Sequence, residues 1–409
     1  MFSIAGRFES LSRRLQEDGL RGLVVLGASA GDPDLAPFIG KAHLTACLAV
    51  VPAGRKVRLG YFSPMERDGA ASTGLDLLTP DDLDMLRWSR DGAAPDELWA
   101  NVLARALQLC EVAPGRLALA GSFSSGRLVG ILDRLATEGW SFVAGEPYLG
   151  PLRKTKAPSE LSELEKACTA LADAYGVVAA QLRDAVPDRD GRLSQAGAPL
   201  TVGRLRRSVA SRFAAHGLEQ PHGNIIAPAE QGAVPHNVGS DERVLRADES
   251  LVVDLFPKGW LYADCTRTFC VGEPPTELRR AFEAVETALR AAEDAARPGV
   301  SGWDLQQMVC RRFDAAGYAT PITQPGTTVG YVHGLGHGVG FELHELPSFR
   351  RNQEPALGRL EVGDVFTLEP GLYDPDAGWA VRLENLYVME EDGPRNLTAF
   401  NEAWDPRLW

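Results

Sequence analysis

The segment HGLGHGVGFELHELP, from His333 to Pro347, carries three of the seven histidines in the chain. His333 and His337 are four residues apart, the separation at which two imidazoles bind zinc from one face of a helix. That chemistry requires H-E-x-x-H on a continuous helix, with the glutamate as general base. Here Gly334, Leu335 and Gly336 stand between the histidines, and Gly338 and Gly340 follow. Each glycine weakens a helix by roughly 1 kcal/mol relative to alanine, so the spacing predicts a loop or irregular extended chain. Glycines allow such a chain to pass close to a ligand and to adopt positive φ. The alternative is a surface loop whose histidines do no chemistry.

A second set of residues is harder to explain by structure alone. Asp254 lies in LVVDLF, Asp264 ends GWLYAD, Glu369 lies in VFTLEPG and Glu384 in AVRLENLYV. Near-continuous apolar runs mark strands buried on both faces, and a carboxylate there needs a cation. Four separate ion pairs, using Arg267 and Arg382, would meet that need. Four such acids together with a histidine-bearing loop favour one shared metal site. The acids occur in two similar settings, VVDLFPKGWLYADCTRTF and FTLEPGLYDPDAGWAVRLENLYV, each read as strand, acid, Pro/Gly turn, acid, strand. Two such hairpins would face each other across a sheet. Four carboxylates and one imidazole make a hard, oxygen-rich donor set that suits Mn²⁺ or Co²⁺ and admits Zn²⁺. Bridging carboxylates can hold two ions about 3.5–4 Å apart, an arrangement used for hydrolysis.

The elements that must position these residues follow from periodicity. FESLSRRLQEDGL is amphipathic, with Phe8, Leu11 and Leu15 on one face, and GLVVLG reads as a buried strand. HLTACLAVVPAGRKVRLGYF reads as a hairpin around Pro-Ala-Gly, and RLALAG, GRLVGILDRLATEG and SFVAGE as strand, helix, strand. The Pro-, Gly- and charge-rich EPYLGPLRKTKAPS marks a boundary, dividing the chain into domains 1–155 and 156–409. A helix starts at Pro158 and Ser159, with Leu161, Leu164, Cys168 and Leu171 as its stripe. Two more helices are predicted over Glu277–Ala296 and Trp303–Ala316, and strands dominate from Leu251 onward.

Composition bounds the function. At 409 residues the chain predicts two domains, and 44% hydrophobic with 24% charged residues is globular. A net charge of −13 argues against nucleic acid or an anionic membrane as a partner. No run approaches the roughly 18 apolar residues of a membrane span. MFSIAGRFESLSRRLQEDG lacks the apolar core of a signal peptide. The six cysteines are scattered, as reduced thiols of a cytoplasmic protein would be.

PHN at 235–237, Asp254, ADCTRTF at 263–269, HGLGHGVGFELHE at 333–345, TLEPGLY at 367–373 and VRLEN at 381–385 occur in that order. In this the chain resembles the prolidase, aminopeptidase P and methionine aminopeptidase family, the pita-bread metallopeptidases, over roughly Pro158–Arg395. The preceding segment resembles the creatinase-type N-terminal domain of prolidases and aminopeptidase P, which methionine aminopeptidases generally lack. The resemblance implies an α+β fold, with a pita-bread catalytic domain behind a smaller α/β creatinase-like domain. It implies two divalent metal ions held by Asp254, Asp264, His337, Glu369 and Glu384, with Asp264 and Glu384 bridging. It places His344 against the scissile carbonyl and the tetrahedral intermediate, His236 near the leaving group and His333 on the pocket wall. Arg382 would orient Glu384 or contact substrate, while His43, His216 and His222 match nothing and read as structural or surface residues.

Two departures stand out. Asp254 and Asp264 are ten residues apart, where the family commonly has eleven, and Leu-Phe-Pro follows Asp254 where Gly is common. Proline fixes φ and removes a donor, so the expected change is in the turn, with the ligands retained. The implied reaction is metal-assisted hydrolysis of Xaa-Pro bonds in small peptides with proline second, Glu369 passing the proton and His344 stabilising the oxyanion. The activity implied first is Xaa-Pro dipeptidase, and the alternative is Xaa-Pro aminopeptidase on longer peptides. A creatinase-like enzyme or a metal-free binding protein is more remote, because all five ligand types are present. A dipeptidase needs a cation for the proline carboxylate; Arg350, Arg351, Arg359 and Arg382 are the candidates. The resemblance also implies a homodimer.

Overall fold

The computed structural model describes residues 4–27, 31–90, 92, 94–351 and 355–409. The chain divides into two compact units, Phe2–Arg153 and Lys154–Trp409.

The first unit is built on a six-stranded sheet in the order Asp76–Leu78, Arg58–Tyr61, Cys47–Pro52, Gly22–Gly27, Arg116–Ala120, Ser141–Ala144. GLVVLG and CLAVVP are buried at every position because both faces of the sheet are covered. Side chains alternate across a strand. Leu23, Val25, Ala49 and Val51 accordingly join Leu11 and Leu15 of the first helix in one core, while Val24, Leu26, Leu48 and Val50 join Leu103, Leu107, Ile131 and Leu135 in another. Cys47–Pro52 and Arg58–Tyr61 form the hairpin read from the sequence.

In the second unit, the helix Pro158–Arg183 opens with Pro158, and the Glu160 carboxylate accepts from the Ala157 amide at 2.7 Å. Its buried stripe includes Leu164, Cys168 and Leu171 and continues to Tyr175, Val178 and Leu182, with Leu161 only half-buried. Helices Thr276–Ala295 and Gly302–Ala315 match the predicted spans to within a residue or two. Their apolar faces, with Phe282, Val285, Leu289, Val309 and Phe313, pack onto Phe366, Leu368, Leu372, Val381 and Tyr387.

Three antiparallel ladders carry the acids. Leu251–Leu255 pairs on one side with Ile225–Pro228 and on the other with Cys265–Phe269, with Asp254 opposite Thr266. This is the predicted first hairpin. The second setting folds differently from a single hairpin. Val365–Leu368 pairs with Asn385–Glu390, ending at Leu368 opposite Asn385, so Glu369 and Glu384 emerge side by side from one end of the ladder. The chain between them forms its own two-stranded ladder, Gly371–Asp374 with Trp379–Arg382. His337 and Gly338 form a two-residue strand between Glu345–Ser348 and Val365–Leu368.

Candidate metal centre

The first hairpin is bonded directly onto the second acid-bearing segment. The Glu384 amide donates to the Thr266 carbonyl at 3.1 Å, and Thr268 Oγ1 accepts from the Arg382 amide at 3.0 Å. Tyr175, buried on the long helix, lies within hydrogen-bond reach of the carbonyls of Val253 (2.9 Å) and Cys265 (2.6 Å), the residues next to Asp254 and Asp264. The glycines bring the histidine loop in. A Cβ on Gly336 would lie 2.0 Å from the Thr367 carbonyl oxygen, and one on Gly338 2.0 Å from that of Leu346. Only hydrogen fits at either position, and His337 between them is held against the acids.

Asp264, His337 and Glu384 each offer a donor atom, all within 4.8 Å of one another. His337 Nδ1 is 3.1 Å from the Gly338 carbonyl oxygen. A carbonyl only accepts, so Nδ1 carries the proton and Nε2 keeps its lone pair. That lone pair stands 3.6 Å from Asp264 Oδ2 and 3.6 Å from Glu369 Oε1. Burial, with the His344 ring adding to it, pushes the His337 imidazole down to about 3, so it is neutral. Asp254 Oδ1 and Asp264 Oδ1 are buried with no hydrogen-bond partner among the described residues. Burial lifts the Asp264 carboxyl well above its usual range, and Glu384, Asp254 and Glu369 lift it further. Glu384 is raised by burial, Glu369 and Asp254. Burial pushes Glu369 up to about 8, with Arg382 opposing and Asp254 adding. Buried carboxylates grouped around a neutral imidazole lone pair 3.6 Å away repel one another unless a cation lies between them. The donor set therefore fits divalent ions.

Arg382 is buried, and each of its three nitrogens donates a hydrogen bond. It donates to Asp254 Oδ2 (2.7 Å), to the Tyr373 hydroxyl (2.7 Å) and to Thr266 Oγ1 (3.2 Å). It reaches Glu384, which it is expected to orient if it does not contact substrate, through Thr266, whose Oγ1 donates to Glu384 Oε2 at 2.7 Å. Arg267, offered as an ion-pair partner for the acids, instead bonds neutral acceptors. These include the carbonyls of Glu384 (2.6 Å), Thr398 (3.1 Å) and Asn401 (2.9 Å). Tyr373 and Thr266 lie in TLEPGLY and ADCTRTF, and nothing in the sequence marks either as functional. Hydroxyls in apolar strands are ambiguous until their partners are known.

His333 Nδ1 donates to the Gly334 carbonyl at 2.7 Å, so Nε2 accepts from the Tyr373 hydroxyl at 2.8 Å. Burial, with Arg382 adding to it, pushes this imidazole down to about 3. His333 Nδ1 is 3.9 Å from Glu369 Oε2, so the ring borders the acids. The His344 ring centroid is 4.2 Å from that of His337. Partial burial lowers the His344 pKa, and the charges of His236, Arg350 and His222 add to this while Asp254 opposes. His236 is exposed and acts on both His333 and His344. His222, read as structural or surface, stacks on Tyr262 at 5.7 Å beside this group. His216 bonds Asp173 at 3.0 Å. Arg359 donates to the Gly299 carbonyl at 2.8 Å, and Arg350 and Arg351 are exposed.

Residues 162–391 match metallopeptidase family M24, and the chain belongs to that family. It is 33% identical over 256 residues to the Xaa-Pro dipeptidase of Pyrococcus furiosus, covering 60% of this chain and 64% of that one. To the probable dipeptidase PepE of Mycobacterium tuberculosis it is 30% identical over 268 residues, covering 65% and 61%. The matches thus span under two thirds of these relatives' length. The crystal structure of dipeptidase PepE from Mycobacterium ulcerans superposes with a TM-score of 0.74 at 26% identity, covering 98% of this chain and 96% of that one. The prolidase of Pyrococcus furiosus superposes with a TM-score of 0.71 at 23% identity, over 95% and 99%, which speaks for the fold. The fold is the α+β pita-bread fold of this family. Among the described residues, no helix is long and apolar enough to cross a membrane.

Proposed function

We propose that the chain is a dinuclear metallopeptidase that hydrolyses Xaa-Pro bonds, acting as an Xaa-Pro dipeptidase on small peptides with proline second. The observation that carries this reading is the cluster of buried acids around His337, whose Nε2 lies 3.6 Å from Asp264 Oδ2 and from Glu369 Oε1, with Asp254 Oδ1 and Asp264 Oδ1 buried and without hydrogen-bond partners among the described residues. The names of the relatives supply the substrate class. Residues 1–155 are the creatinase-like N-terminal domain and 156–409 the catalytic domain. Asp254, Asp264, His337, Glu369 and Glu384 would hold the two ions, Mn²⁺ foremost, with Co²⁺ or Zn²⁺ admissible.

The chemistry such ions supply is polarisation of the scissile carbonyl and ionisation of water near neutral pH. The chain's own residues do the rest. Glu369 accepts the proton of the attacking water and returns it to the leaving amine. His344 donates to the oxyanion that develops on the carbonyl. His236 stands near the leaving group. His333, held by Tyr373, forms the pocket wall. Arg382 keeps Asp254 in place. The working form is a cytoplasmic homodimer, a location supported by six buried, unpaired cysteines.

With Arg382 and Arg359 engaged elsewhere, exposed Arg350, whose charge reaches His344, is the candidate partner for the proline carboxylate. The same engagement of Arg382 favours a second reading, Xaa-Pro aminopeptidase, because the buried guanidiniums described near the acids, Arg267 and Arg382, both bond within the fold rather than stand open to a C-terminus. The test supplies Mn²⁺ and compares an Xaa-Pro dipeptide, its amide and an Xaa-Pro-Xaa tripeptide. A dipeptidase shows a sharply raised KM for the amide. Equal turnover of all three establishes the aminopeptidase, and turnover of none refutes both.

A further inference from the structure

Beneath the loop that carries His337 and His344 lies a buried ion pair with no part in the chemistry above. Lys156 Nζ contacts Glu345 Oε1, and the two side chains are 0% and 1% exposed. Lys156 Nζ also donates to the Lys154 carbonyl at 3.2 Å, and the other Glu345 oxygen accepts from the Glu342 amide at 3.2 Å. The Lys156 backbone is itself tied down, its amide donating to the Gly363 carbonyl at 2.9 Å. The loop crosses directly over the pair: a Cβ on Gly340 would lie 2.4 Å from Lys156 Cε and 2.6 Å from Glu345 Oε1. From the other side, the Tyr262 amide donates to the Gly340 carbonyl at 2.8 Å, two residues before Asp264.

The pair sits where it can set both imidazoles. Glu345 follows His344 in the chain. It also stands opposite Gly338, the residue after His337, at a step where the strand register shifts. A register shift re-aims the side chains beside it, and register is weakly specified in Gly-rich strands such as this one, so side-chain restraints help to fix the path. A buried ion pair adds little stability, because desolvation offsets its attraction and a well-packed apolar replacement is often neutral or stabilising. It does penalise every loop path that separates its charges.

We propose that Lys156 and Glu345 are a positioning pair that sets the His337 and His344 rings, 4.2 Å apart, and thereby the rate of hydrolysis. The effect on rate rests on the reading of His344 as the group that meets the substrate. Misplacing a reacting group by about 1 Å costs on the order of 10²-fold in rate.

The test is the double variant K156M/E345M, which removes both charges and leaves none stranded, with K156R as a second variant that keeps a pair of altered geometry. Two readouts are taken: kcat and KM per metal-loaded molecule, and the ring resonances of histidine-labelled, metal-free protein, assigned by single replacements. The expected result for the double variant is an unfolding temperature at or above wild type, KM within about twofold and kcat lowered about 10- to 100-fold. The His337 and His344 resonances shift, while that of His216 stays. In K156R the same two resonances shift and kcat falls. If the double variant does not fold, K156R decides. Unshifted rings, or shifted rings with wild-type kcat, overturn the proposal. Should the wild type turn over no Xaa-Pro peptide, the proposed function fails, and the ring resonances still decide whether the pair positions the histidines.

Discussion

Removing the metal should make stability fall as pH rises. Glu369 ionises at 4.5 in its ordinary state and at about 8 in the folded, metal-free chain, chiefly because it is buried. A carboxyl whose folded value is raised favours the folded state while it is protonated. That contribution is fully present below about pH 4.5 and is lost as pH rises through about 8. At 1.36 kcal/mol per pH unit, the span from 4.5 to about 8 corresponds to roughly 5 kcal/mol for this one group. Asp264 and Glu384, raised by burial and by their neighbours, act in the same direction. The three titrate as one interacting set, so the fall is spread over the whole window. Chelated protein unfolded in urea at pH values from about 5 to about 8.5 should therefore lose several kcal/mol across the series. Excess Mn²⁺ should oppose the trend, because metal binds the deprotonated carboxylates and displaces their protons. At a hundred-fold excess over Kd the ion adds about 2.7 kcal/mol. Glu369→Gln should reduce the pH dependence of the metal-free protein and leave the part due to Asp264 and Glu384. Stability that stays flat or rises toward pH 8 after chelation would refute the reasoning, since it would mean that these acids are not held together unpaired.

Three further outcomes follow from named contacts. Asp264→Ala or Glu384→Ala should lose at least one ion by metal analysis; two retained ions with normal turnover would remove these residues from the site. His344→Ala should lower kcat by roughly 10²–10³ while keeping both ions. Loss of metal with an unchanged rate per bound ion would instead reverse the roles of His337 and His344. Arg382→Met strips Asp254 Oδ2 of its donor, and metal affinity should drop about 10- to 100-fold, as for other supporting partners of ligands; calorimetry showing wild-type affinity would refute this supporting role of Arg382.

Some features of this protein were legible in the residues alone. Apolar runs that become buried on both sides, such as GLVVLG and LVVDL, declare strands wherever the rest of the chain goes. Pro158 declares a helix start, and the spaced glycines around His337 exclude a zinc-protease helix. The cost of carboxylates in such strands is likewise a local fact, and it pointed to Asp254, Asp264, Glu369 and Glu384 together. Tertiary structure decided how those acids meet. The Leu368–Asn385 register sets Glu369 beside Glu384, where the sequence read a simple hairpin. Arg382 found Asp254, which lies 128 residues away in the chain. Tyr373 and Thr266 became relays only once Arg382 stood between them, and the proton on His337 was assigned only once Nδ1 met the Gly338 carbonyl. The division has one physical reason. Burial and backbone preference act over a few neighbouring residues and leave a periodic trace. Hydrogen-bond partners, tautomers and raised carboxyl pKa values depend on which strands lie side by side, and that is settled by the packing of the whole domain.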